Sequence, residues 1–149
     1  MARRAVLRGR GPRDAQLEAG PGFAVRFLRH EAQHFADRQD FPGLPGTDLE
    51  YRAKLVELIC AASPRLQLQA FCAEAAERPG HPHAYAALQL ARDLARALGL
   101  SAGKTLEACL DDLEEARIRW AVRSLLEAHG AELRAGGRGR WPDPARRPG

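Results

Sequence analysis

Residues 29–58, RHEAQHFADRQDFPGLPGTDLEYRAKLVEL, decide the reading of the fold. Two prolines and two glycines within FPGLPG (41–46) cannot sit inside a helix, because proline lacks the N–H and glycine favours a turn. Both flanks nevertheless carry helical spacing. Upstream, Gly22–Asp40 repeats Phe23, Phe27, Leu28, His30, His34 and Phe35 at intervals of three and four. Downstream, Thr47 or Asp48 caps a helix bearing Leu49, Leu55, Val56, Leu58 and Ile59, which ends at Ser63-Pro64. Helix, tight turn and helix predict an αα-hairpin.

The rest of the chain repeats this grammar. Pro64 opens a third helix running to about Arg78, with Leu66, Leu68, Phe71 and Cys72 as its apolar positions. After the break RPGHPH (78–83), a fourth covers about Pro82–Leu98 with Tyr85, Leu88, Leu90, Leu94 and Leu98, and Gly99 is its stop. Ser101 caps the last and longest, Ala102 to about Leu133, striped by Leu106, Leu110, Leu113, Val122, Leu125 and Leu126. The expectation is a mainly α, single compact five-helix domain with little or no β-sheet; Ala5–Leu7 is the one stretch that could be a strand.

The 149 residues suit one domain, and 45% hydrophobic with 28% charged residues is ordinary globular composition. The net charge of +4 is unevenly spread: residues 1–13 hold +5 and residues 134–149 hold +4, which leaves −5 for the body between them. The ends also concentrate glycine and proline, so residues 1–21 read as a flexible basic lead, 22–134 as the folded domain and 135–149 as a disordered basic tail. Such tails can hold phosphate-rich polymers weakly, and Trp141 among arginines could stack on a base, but no specific nucleic-acid site is expected. Cys60, Cys72 and Cys109 are far apart and read as small buried hydrophobes in a reducing compartment. MARRAVLRGRGPRD lacks the apolar core of a signal peptide, and no run of residues is apolar enough to span a membrane. As written, the chain is expected in the cytoplasm; an upstream extension would change that.

Chemical content is concentrated in HEAQH (30–34). On a helix, His30 and His34 face the same way about 6 Å apart and can offer imidazole nitrogens to one Zn²⁺. Glu31, one residue round, then reaches a water on that ion and serves as general base for attack on an amide carbonyl. A catalytic zinc needs a third protein ligand. Glu50, one turn into the second helix, is returned towards the histidines by the αα-hairpin.

His30, Glu31, His34 and Glu50, with LEYRA around the last, resemble the gluzincin zinc metallopeptidases, which carry HExxH on one helix and a glutamate on a following one. The likeness covers roughly Gly22–Cys60. It implies a zinc-dependent peptide-bond hydrolase of zincin type acting on a peptide or protein, with Zn²⁺ held by His30, His34 and Glu50 and with Glu31 as base. The chain departs from that pattern twice. An acid normally stands four residues after the third ligand, where this chain has Lys54, so that Asp37 or Glu57 must orient a histidine instead. A β-sheet normally precedes the HExxH helix, and the residues before Gly22 are too few and too rich in Arg and Gly to make one.

Other signals are weaker. Asp48 is a rival third ligand, better explained as a helix cap. HPHAY (81–85) offers His81, His83 and Tyr85 as oxyanion or substrate contacts, or the two histidines as a second metal site. SAGKT (101–105) ends like a phosphate loop but fails its spacing, since Gly99 is one residue too close. Tyr51 is expected to pack under the site and His129 to be a core or interface histidine. The alternative to an enzyme is a non-catalytic helical interaction or scaffold module, zinc-stabilised or a zincin remnant, that binds a protein partner through the last helix.

Overall fold

The computed structural model describes residues 21–142. They form six helices: α1 (Pro21–Asp40), α2 (Gly46–Cys60), α3 (Pro64–Glu74), α4 (Pro82–Ala97), the short α5 (Leu106–Cys109), continued by a 3₁₀ turn over Leu110–Asp112, and α6 (Glu115–Arg134). No strand occurs among the described residues, so the mainly α expectation holds. Ala5–Leu7 and the basic lead to residue 20 lie outside the described residues, as does the side chain of Phe23. No helix among the described residues is long and apolar enough to cross a membrane.

The hairpin is built as its sequence demands. The N–H of Phe41 still bonds the Asp37 carbonyl at 2.8 Å, and that of Leu44 then closes a turn on Phe41 at 3.2 Å. Gly43 takes the positive φ of 80° that the third position of such a turn needs, with Pro42 before it. α2 emerges as the central helix, packed against α1, α3, α4 and α6. Leu55 and Leu58 meet Leu68, Leu90, Leu94, Ile118 and Val122 in one continuous core.

A helix surrounded on several sides must bury polar residues too, and α2 pairs four of its own with four different neighbours, since an unpaired buried charge is costly. Arg52 donates to Asp37 of α1 at 2.8 Å, Lys54 to Glu74 of α3 at 2.9 Å, and Tyr51 to Asp93 of α4 at 2.7 Å. Asp48 lies 3.0 Å from His129 of α6, both side chains fully buried. These pairings fix the rotation of α2 as firmly as its leucines do.

Three expectations are corrected. The single helix over Ala102–Leu133 is broken at Leu113, whose carbonyl accepts from Arg65 at 2.6 Å instead of from a following turn; Thr105, not Ser101, caps the first piece. The third helix stops at Glu74, because Ala75 turns extended and the Ala76 N–H goes to Ala84. Neither Thr47 nor Asp48 caps α2, whose N-cap is Pro45 with no side-chain bond.

Residues 135–142, read as the start of a disordered tail, are seated on the body. The N–H groups of Arg140 and Trp141 donate to Asp48 at 2.7 and 3.3 Å, Arg140 forks onto Glu132, and the Trp141 ring lies 4.8 Å from that of Tyr51. Gly139 permits this approach. Its φ is 98°, and a Cβ there would fall 2.8 Å from both Asp48 Oδ2 and Pro45 Cδ.

Candidate metal centre

α1 meets the rest of the molecule through its polar side. Its backbone approaches α2 alone, and the residues turned inward are His34 and Asp37, with His30 half-buried, while Phe27, Leu28 and Phe35 are exposed. Leu28 and Phe35, two of the apolar residues that announce the helix, are therefore not the ones that dock it.

His30 and His34 stand one turn apart on α1, rings edge to face with centroids 4.4 Å apart. The hairpin returns Glu50 against them, with Oε1 3.1 Å from His34 Nε2 and Oε2 3.4 Å from His30 Nε2. One ligand atom from each of the three lies within 4.8 Å of the others. In a tetrahedron with metal–ligand bonds of 2.0–2.1 Å, neighbouring ligand atoms are about 3.3 Å apart, so the carboxylate-to-imidazole spacings suit one small cation.

The hydrogen bonding points the same way. Glu50 Oε2 is buried and makes no hydrogen bond, although His83 Nδ1 is only 2.8 Å away. A buried carboxylate oxygen left without a hydrogen bond is open to a cation. Two nitrogens and an oxygen are also the donor set of catalytic zinc sites.

Glu57, one of the two residues named to orient a histidine, accepts from His30 Nδ1 at 2.6 Å, which aims Nε2 at the centre. Asp37 does not take this role. It is held by Arg52 and Gln33, each at 2.8 Å, and His34 Nδ1 is left without a partner. Asp48 points away from the histidines, towards α6 and the chain end. Tyr51 likewise lies on the far side of α2, against His129 and Trp141. Of the HPHAY group only His83 joins the cluster, its ring stacked 6.1 Å from that of His30; His81 is exposed at the start of α4, and neither it nor Tyr85 lines the groove described next.

A groove of about 500 Å³ opens beside the cluster, between α1 and α3. His30, Glu31 and Phe27 form one wall, Gln67, Phe71 and Glu74 the other, with Lys54 and Glu57 from α2 and His83 from α4 between them. Gln67, Phe71 and Lys54 were not legible as site residues, because only the crossing of α3 over α2 brings them here. None of the three cysteines takes part: all are free, Cys60 is exposed and the other two half-buried, so the expectation of buried side chains is corrected.

The electrostatics follow from the crowding. The carboxylates of Glu50 and Glu57 push the His30 pKa up to about 9, against the opposing effect of burial. Burial would raise the Glu50 carboxyl, but the imidazoles of His30, His34 and His83 outweigh it and hold Glu50 well below the usual carboxylate range. Glu50 also raises His83. A group whose folded pKa exceeds its unfolded value stabilises the fold fully below the unfolded value and loses that contribution as pH rises. The chelator-treated protein should accordingly lose thermal stability between about pH 6.5 and 9. A melting temperature that is flat across this window in wild type and His30→Gln alike would show that these carboxylates do not act on His30.

Comparison with protein families, with curated proteins and with solved structures returned no match.

Proposed function

We propose that His30, His34 and Glu50 hold a zinc ion and that the chain hydrolyses peptide or similar amide bonds. The observation that carries this reading is the convergence of three ligand atoms from two helices within 4.8 Å, beside a groove whose wall includes one of them, His30. When bound, zinc supplies Lewis-acid chemistry, acidifying a water and polarising a carbonyl oxygen. The chain's residues do the rest. Glu57 keeps His30 in the orientation that presents Nε2. Glu31, exposed on the groove wall beside His30, takes the proton of the attacking water. His83, whose side chain is 62% exposed, is within reach of the carbonyl oxygen as negative charge develops there.

A second reading, a zinc-stabilised interaction module, is favoured by the exposure of Phe27, Leu28 and Phe35 on α1 and of Trp120 on α6.

Elemental analysis of protein purified without chelators should find about one zinc per chain in wild type and in Asp48→Ala, and none in His34→Ala. Zinc-loaded protein should then cleave a peptide mixture that chelated protein leaves intact. A folded wild-type chain without zinc would overturn the metal reading, and zinc without cleavage would leave the interaction module.

A further inference from the structure

Lys54 stands where the gluzincin pattern has an acid, one turn beyond Glu50 on α2. It is only 3% exposed, yet it lines the groove together with His30, Glu31 and His83. Its Nζ lies 4.3 Å from the centroid of the Phe71 ring and donates to Glu74 Oε2 at 2.9 Å. A buried ammonium needs a compensating anion, and Glu74 supplies it. Glu74 is nevertheless a weakly held partner: it is the last residue of α3, and its side chain is 39% exposed. The groove thus already seats one carboxylate on Lys54, in the lining that also holds His30.

The other groove cation is differently engaged, with Arg26 Nη1 donating to Gln67 at 2.8 Å and Nε 3.8 Å from Glu57. Lys54 is a compact point charge with three rotatable donors, so it can pass from one carboxylate to another without rearranging the helix that carries it. One helical turn separates the Cβ atoms of Glu50 and Lys54 by about 5–6 Å. A carboxylate held by Lys54 therefore leaves a neighbouring amide bond in the groove that His30, Glu31 and His83 also line.

We propose that Lys54 is the residue that sets substrate class, and that the chain acts on amides carrying a free carboxylate beside the scissile bond, the substrate's carboxylate displacing Glu74. C-terminal peptide bonds and N-acyl amino acids have this chemistry. The inference rests on the metal-hydrolase reading and deepens it.

The test uses the zinc-loaded full chain and a pair of small probes, 3-mercaptopropanoate and its amide, each with a thiol for the metal and differing only in charge at the other end. Binding is measured by calorimetry. Wild type should bind the acid about tenfold or more tightly than the amide, the range expected of a charge-assisted contact. Lys54→Met should abolish that preference while still binding the amide. Glu74→Gln, which keeps an amide oxygen for Lys54 but removes the competing charge, should tighten the acid and leave the amide unchanged. Equal affinity of wild type for the two probes, or a preference that survives in Lys54→Met, overturns the proposal and leaves the metal site standing. A wild-type chain that holds no zinc overturns both.

Discussion

Glu31→Gln is expected to keep its zinc and to lose amide hydrolysis by roughly 10²–10⁴-fold, the range that a positioned general base contributes. The separation of the two effects follows from the geometry. Glu31 is next to His30 in sequence but is not among the three converging ligands. Its carboxylate is also the one groove acid without a hydrogen-bond or ion-pair partner among the described residues: Glu57 is occupied by His30 and Gln67, and Glu74 by Lys54. An acid kept out of such pairings is available for proton transfer. Glu57→Gln should behave in the opposite way, weakening zinc by roughly 10–100-fold, as loss of an orienting partner does, while zinc-saturated protein retains turnover. Undiminished hydrolysis by Glu31→Gln would remove it from the mechanism whatever the metal content.

Asp48→Ala is expected to be the most destabilising single change at a polar position, by about 3–5 kcal/mol, because removing one member of a buried pair strands the other. His129 would remain fully buried, and the N–H groups of Arg140 and Trp141 would lose their acceptor in the same step. For a domain of this size the thermal midpoint should fall by roughly 10–15 °C. Asp48→Asn, which keeps one carbonyl acceptor, should lose less. Zinc content should be unaffected in both, since Asp48 faces α6 and not His30 and His34. A loss below about 1 kcal/mol, the net worth of an ordinary hydrogen bond, would show that residues 137–142 and His129 do not depend on this carboxylate.

Much of the architecture was legible in local chemistry. FPGLPG could only be a turn, Pro64 and Pro82 could only open helices, and Leu55, Leu68, Leu90, Leu94 and Val122 fall on the core as their spacing predicts. The meeting of His30, His34 and Glu50 was legible for the same reason: one pair is a single helical turn apart and the third residue lies across a tight hairpin, so short-range geometry is enough to bring them together.

The errors arose where distant segments compete for the same groups. The apolar residues Phe27, Leu28 and Phe35 foretold α1 but not its docked face, because the buried charges of α2 required Asp37 and His30 as partners more than the core required three further side chains. Asp37 was claimed by Arg52, and Asp48 by a histidine 81 residues away, pairings that no periodicity encodes. The break at Leu113 came from Arg65, and the seating of residues 135–142 from an acceptor buried at the start of α2.

By itself, then, the sequence determined the helical class, the hairpin and the three converging donors, all of which depend on spacings of a few residues. Tertiary structure alone decided which acid orients His30, which cation lines the groove and what covers Asp48, since a buried polar group takes whatever partner the packing of other helices brings within reach.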